Sequence, residues 1–291
     1  MYYIEELDKQ RKIDSIFTGI KVKENVIYIP KLDKYKNQEL EKRYIDKKKK
    51  ILKIVIRLSE LLEKKDCNKI AVSQNLSKNE LFMNYLSTYD IEVYSGKMLL
   101  EIIVLKTIDY IVEKRCLNKD TIQITIAVND ISDIMFENIK LIIEKYKKVN
   151  ITTKNIIRFK KMEELVLKKL GKMILISDNK KKSLLKSDII LNVDFDEELI
   201  NKYIIKDDAI IINVNKNVKI NKKRFNGLNI NDYEINCNRN IFNSLIVAEK
   251  YMIRDIYESV LSPKLLYQEI NDKIGKDNVQ IAYLKSNNIT I

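Results

Sequence analysis

The sequence predicts an α/β fold: a mostly parallel sheet with helices on both faces, joined to a smaller N-terminal α/β lobe. Three observations carry this. Runs of Ile and Val recur between residues 121 and 214, and strands apolar at nearly every position belong to a parallel sheet buried on both faces. Between those runs the apolar period changes to that of helices. The composition, 45% hydrophobic and 33% charged over 291 residues, is that of a soluble globular chain able to bury a core in one large or two small domains.

From the N-terminus, IFTGIKV and NVIYIP read as a hairpin closed at Lys23-Glu24 and ended by Pro30. A long helix is expected over 37–64, with Ile45, Leu52, Val55, Leu58 and Leu62 at helical spacing. It carries Lys47-Lys48-Lys49-Lys50, which is either an anion patch or the solvated side of the helix. Ile70-Ala71-Val72-Ser73, a helix over 78–89 and Ile91-Glu92-Val93-Tyr94 make a small βαβ unit. Gly96 precedes an apolar helix over 98–114.

The regular part follows: strand 121–128, helix 131–146, strand 149–153, helix 156–170 capped by Gly171, strand 173–177, strand 189–193, helix 196–203 and strand 209–214. After a loop at Phe225-Asn226-Gly227, a helix is expected over 243–261, ended by Pro263. The tail IAYLKSNNITI is a last strand or a disordered end. Domain boundaries are placed to match: 1–115 for the N-terminal lobe, 116–225 for the regular α/β domain, and 226–291 for a helix returning to the first lobe plus the tail. The helices at 97–115 and 243–261 are apolar over several turns and are expected to pack where the chain passes between lobes.

Composition excludes several chemistries. No apolar run approaches the roughly 18 residues of a membrane span, and Met1-Tyr2-Tyr3-Ile4-Glu5-Glu6 lacks the layout of a signal peptide. A cytoplasmic location with no membrane partner is expected. The formal charge of +13 would suit nucleic acid, yet only 8 of the 54 basic residues are Arg, the better bidentate reader of phosphates and bases. The abundance of Lys, Ile and Asn is that of a bacterial-like, AT-rich coding composition. Cys67, Cys116 and Cys237 are too widely spaced for a disulfide framework or a CxxC metal site, and read as small apolar residues in a reducing compartment. The absence of His removes Ser-His-Asp and Cys-His nucleophiles and the usual zinc sites. No metal site and no catalytic residue is assigned.

The turn between strand 121–128 and helix 131–146 is Asn129-Asp130-Ile131-Ser132-Asp133, with no glycine. Further on, Ser187-Asp188-Ile189-Ile190-Leu191-Asn192-Val193 resembles the Asp-hydrophobic-hydrophobic-Asn stretch of shikimate dehydrogenase and glutamyl-tRNA reductase. Residues 119–215 thus resemble a Rossmann-like NAD(P)-binding domain, and the two bracketing helices resemble the two-lobed plan of shikimate dehydrogenase. The resemblance implies a strand end bordering the nicotinamide, near Asn192 and Asp194. It departs at the glycine turn, where Asp130 and Asp133 would stand at the phosphate position and repel it. Their plainer role is capping, with Asn129 or Asp130 as N-cap. At the end of the second strand, Thr152-Thr153-Lys154-Asn155 stand where an NAD site carries an acid. Lys154 resembles the basic residue that accommodates the 2′-phosphate of NADP, with Thr153 adding a hydroxyl; otherwise this is a polar loop. The catalytic Lys and Asp motifs of shikimate dehydrogenase have no match, so that activity is not carried over.

Three functions compete. The first is a Rossmann-like protein, non-catalytic or regulatory, that has lost dinucleotide binding, uses no cofactor, and takes a protein partner or small ligand in the crevice at the strand C-terminal ends. The second is an NADP-dependent oxidoreductase with an atypical phosphate turn and Asn129, Thr153, Lys154, Asn192 and Asp194 as its crevice residues. The third is a Lys-rich nucleic-acid-binding protein presenting helix 37–64. Acid in the 129–133 turn favours the first over the second, and scarcity of Arg disfavours the third.

Overall fold

The computed structural model describes residues 2–6, 20–30, 32, 41–221, 225–238, 250–261, 266–286 and 289–291. It divides into two compact units, Met1–Gly96 with Phe242–Pro263, and Lys97–Ile241 with Lys264–Ile291.

The first unit holds β1 (Tyr2–Glu6), β2 (Lys21–Lys23), β3 (Val26–Ile29), α1 (Glu41–Glu63), β4 (Lys69–Val72), α2 (Gln74–Ser77), α3 (Glu80–Thr88) and β5 (Glu92–Val93). Its sheet has the order β2-β3-β1-β4-β5, parallel throughout except for the β2–β3 hairpin. Lys23 pairs with Val26, so the hairpin turn is Glu24-Asn25, with Glu24 in the left-handed region. The first part of the expected hairpin, 16–19, lies outside the described residues. β1 is a strand that the apolar pattern did not reveal; Tyr3 and Ile4 are buried between β3 and β4. The buried stripe of α1 is Ile51, Ile54, Val55, Leu58 and Leu62, with the expected Leu52 only half-buried. Residues 37–40 and the side chain of Ile45 lie outside the description.

The second unit opens with α4 (Lys97–Ile102) and α5 (Val104–Lys114) in place of one continuous helix. The break falls at Ile103, two residues after Glu101, whose carbonyl accepts from Asn138 Nδ2 at 3.0 Å, an insertion of the kind that interrupts a helical ladder. Then come β6 (Gln123–Ala127), α6 (Asp133–Lys145), β7 (Lys148–Thr152), α7 (Ile156–Leu170), β8 (Leu175–Ser177), α8 (Lys180–Leu185), β9 (Ile189–Asn192), α9 (Glu197–Lys202), β10 (Ile210–Asn213) and β11 (Leu228–Asn236). α10 (Ile253–Val260) groups with the first unit and packs on β4. Of the helix expected over 243–261, residues 243–249 lie outside the described residues, as does Pro263, and 250–252 are not helical: Met252, in extended backbone, is the N-cap and Leu261 the C-cap, so the helix is shorter than expected. α11 (Tyr267–Lys276), β12 (Gln280–Ser286) and β13 (Ile289–Thr290) complete the second unit. α4 and α5 both pack on α6, which places the unit boundary after Gly96 rather than at 115.

The strand order of this sheet is β13-β12-β11-β10-β9-β6-β7-β8. Counted from β6, the six parallel strands run 3-2-1-4-5-6, the Rossmann order. β12 and β13 add antiparallel strands beyond β11, so the tail is sheet. Both faces are covered, as the Ile/Val runs require. Ala127, Ile190 and Ile211 cluster with Leu184 of α8, Ile200 of α9 and Phe195, while the alternate residues Ile126, Leu191 and Ile212 are equally buried on the opposite face. Gly171 caps α7 in the left-handed conformation.

Candidate functional site

The C-terminal ends of β6, β7 and β9 are where a Rossmann fold receives its ligand. Register brings the relevant residues together there. Ala127 of β6 is paired with Thr152 of β7 and with Asn192 of β9. Two residues beyond each of the β6 and β9 positions stand Asn129 and Asp194, so the two chains leave the sheet side by side.

Asp194 uses this placement. Its carboxylate accepts from the Asn129 N–H at 2.8 and 3.0 Å and from the Asp130 N–H at 2.8 Å. In a dinucleotide-binding turn such backbone N–H groups face the pyrophosphate. Here an internal carboxylate holds them.

The rest of the turn is closed in the same manner. Asn129 Oδ1 accepts from the Lys154 N–H, and the Asn129 carbonyl accepts from Asn155 Nδ2, both at 3.0 Å, tying the turn after β6 to the turn after β7. Asp130 is ion-paired with Arg158 of α7 and accepts from the Ile131 N–H at 2.7 Å. The N-cap of α6 is Ser132, accepting from Met135 N at 3.1 Å, which corrects the assignment of that role to Asn129 or Asp130. The Ser132 hydroxyl donates to Glu101, whose carboxyl is raised above the ordinary range by burial and lowered in part by that bond. Asp133 is an exposed first-turn residue. The expected repulsion by Asp130 and Asp133 is thus not the main feature: Asp130 has Arg158 opposite, and Asp194 is the carboxylate at the N–H groups.

Asn192 is also turned inward. Its Nδ2 donates to the Phe195 carbonyl at 3.0 Å and to Asn213 Oδ1 at 2.8 Å, while its Oδ1 accepts from Phe195 N. Asn213 Nδ2 donates in turn to Asn229 Oδ1 and Asn231 Oδ1, and both of those amides donate to the Val218 carbonyl. This asparagine ladder links the ends of β9, β10 and β11 within the protein. Sequence reasoning missed all but Asn192, although Leu191-Asn192 and Ile212-Asn213, each an apolar run ending in Asn, were the available signal.

At the end of β7, Thr153 is buried and its hydroxyl oxygen accepts from Asn155 N. Lys154 is exposed. Lys180 of α8 is buried, and its ammonium is depressed by desolvation and by the charge of Lys154, against an opposing pull from Asp178. Thr152 Oγ1 is buried with no hydrogen-bond partner.

The turn after β6 differs from a dinucleotide-binding turn in three respects. The Asn129 and Asp130 N–H groups are held by Asp194, both residues carry Cβ atoms where such a turn has glycines, and the acceptor is a carboxylate. Among the described residues no cluster of His, Cys, Asp and Glu suits a metal, and no helix is long and apolar enough to cross a membrane. The first unit has an open cleft of about 590 Å³ lined by Ser59, Glu63, Asp66, Cys67 and Tyr89, at the N-terminal ends of β4 and β5 rather than at the strand C-terminal ends.

No family model and no curated protein sequence matches this chain. Among solved structures, the chain is similar to L-tryptophan dehydrogenase from Nostoc punctiforme at 12% identity and a TM-score of 0.31, over 65% of this chain and 50% of that one. It therefore spans half the length of that enzyme. It is similar to ornithine carbamoyltransferase from Pyrococcus furiosus at 11% identity and a TM-score of 0.30, over 77% and 74% of the two chains. A shikimate 5-dehydrogenase-like protein aligns at 14% identity and a TM-score of 0.23, over 64% of this chain and 66% of its own.

Proposed function

We propose that this chain is a Rossmann-like protein that has given up NAD(P) binding and acts by non-catalytic, regulatory recognition, with Asp194 standing in for the dinucleotide phosphate. The observation that supports this reading is the pair of N–H groups, Asn129 and Asp130, held by the Asp194 carboxylate. A pyrophosphate would have to displace that carboxylate and then sit beside it. Two charges about 4 Å apart repel by roughly 1 kcal/mol in water and by about 4 kcal/mol at the effective dielectric of a protein surface.

A second reading, an NADP-dependent oxidoreductase, draws on the neighbouring charges of Lys154 and Lys180 after β7 and β8. Calorimetric titration with NAD and NADP separates the two. The proposal expects no binding of either cofactor to the wild type. Micromolar NADP binding that weakens in Lys154→Ala would reject it and promote the oxidoreductase.

A further inference from the structure

The edge of the second unit's sheet formed by β8 combines three properties that are seldom found together. The segment that carries it is basic: residues 156–186 hold ten basic side chains against Glu163, Glu164 and Asp178. Of these, Arg158 is paired with Asp130, Lys172 is bound to carbonyls of α6 and Lys180 is buried, while Lys168 and Lys169 at the end of α7 are exposed. The edge is apolar as well as basic, because Met173 is 86% exposed, Leu175 59% and Leu167 52%. And it is an open sheet edge. β8 is the terminal strand of its sheet, with no strand among the described residues on its far side. The Ser177 carbonyl accepts from Thr153 N, which turns Ser177 and Leu175 toward β7 and the N–H and C=O of Ile176 away from it.

We infer that this edge is a docking surface for an extended acidic segment of a partner protein, which adds a strand to β8, places carboxylates among the lysines and seats apolar side chains against Met173 and Leu175. Each property narrows the occupant. The charge calls for an anion, and a second copy of the chain would bring a second set of exposed lysines to the same place. The exposed Met and Leu side chains gain nothing from a phosphodiester backbone, whereas they gain from burial against an apolar peptide residue. The outward backbone groups of Ile176 need hydrogen-bond partners, which the hydrocarbon of a bilayer lacks and an extended peptide supplies. Proteins usually protect such edges, in part with the lysines seen here, and a partner strand is the arrangement that uses edge, lysines and apolar side chains at once.

The test uses the full chain and a fluorescein-labelled ten-residue peptide alternating Glu with Val, read by anisotropy. The expected result is saturable binding that weakens as salt is raised, falls at least tenfold in Met173→Ser/Leu175→Ser, and falls similarly in Lys168→Glu/Lys169→Glu. Both pairs are exposed, so the substitutions leave the core intact, and circular dichroism of each variant checks this. A control peptide with Pro replacing alternate Val residues keeps the charge but cannot pair as a strand. Equal binding of the control, or no binding of the Glu-Val peptide, overturns the proposal. So does capture of phosphatidylserine vesicles or a single-stranded oligonucleotide through the same residues while the peptide is ignored.

Discussion

Replacing Asp194 by Ala removes the acceptor of two backbone N–H groups and leaves both in the turn they now occupy. Hydrogen bonds to a charged group contribute about 1.5–3 kcal/mol each, and a buried donor left without a partner costs a further penalty of about 1–3 kcal/mol. The three contacts at 2.8–3.0 Å are short enough for full strength, but the two donors differ in surroundings. Asp130 is exposed, so water takes over its N–H, while Asn129 is half-buried. The net loss works out at about 2–4 kcal/mol, a large share of the ~5–15 kcal/mol that typically holds a domain together. Urea denaturation reads it as a lower midpoint at unchanged slope. Asp194→Asn keeps one acceptor oxygen and loses less. Acetate supplies the missing carboxylate by mass action, so it raises the midpoint of Asp194→Ala and leaves the wild type unmoved. A loss within ~0.5 kcal/mol, the scale of an ordinary surface substitution, would refute the reasoning, as would equal stabilisation of both proteins by acetate.

Other consequences follow from single features. Asn213→Leu removes one acceptor of Asn192 Nδ2 and the donor to Asn229 Oδ1, both buried, and is expected to cost about 1–3 kcal/mol in the same unfolding assay. Gly227→Ala puts a Cβ 2.0 Å from the Ala209 carbonyl, so the start of β11 must part from β10; a drop in melting temperature is expected, and an unchanged one would contradict the close approach. Tyr146 donates to Asp109 at 2.7 Å, and burial followed by that carboxylate hold its hydroxyl well above the ordinary range. A folded value above the unfolded one of about 10 stabilises the fold below pH 10 and is lost as pH rises past it, so Tyr146→Phe should show a shallower alkaline decline. Cys116 is exposed, whereas burial pushes the Cys237 thiol up to about 11; alkylation at neutral pH followed by peptide mapping should label Cys116 first.

The legibility of the chain was uneven for physical reasons. Strands β6, β7, β9 and β10 were readable because burial on both faces demands near-continuous Ile and Val, a signal carried by each segment alone. β11 was not, since LNINDYEIN interleaves Asn229, Asn231, Asp232 and Glu234 with its apolar residues and so resembles a loop. Those polar residues are tolerated because Asn229 and Asn231 find partners across the ladder. α8 was missed because only six residues form it, three of them lysines, although two parallel strands require a crossover there. At the site, Asn129, Asp194 and Lys154 were picked out as residues near one crevice, and the backbone bonds do bring Asn129 together with both of the others. Asn192 turned inward to the ladder. What local spacing could not convey was the role of Asp194: it is 65 positions from Asn129, and only the β6–β9 register sets its carboxylate against that turn.

The Asp194 carboxylate holds the Asn129 and Asp130 N–H groups, and the proposed loss of dinucleotide binding rests on that contact. Selective ¹⁵N labelling of Asn and Asp, with NMR of the Asn129 and Asp130 amides, observes those groups directly. Downfield, slowly exchanging amide signals are expected in the wild type, unmoved by millimolar NADP and shifted upfield in Asp194→Ala. Fast-exchanging amides in the wild type, or shifts of both signals as NADP is added, would contradict this.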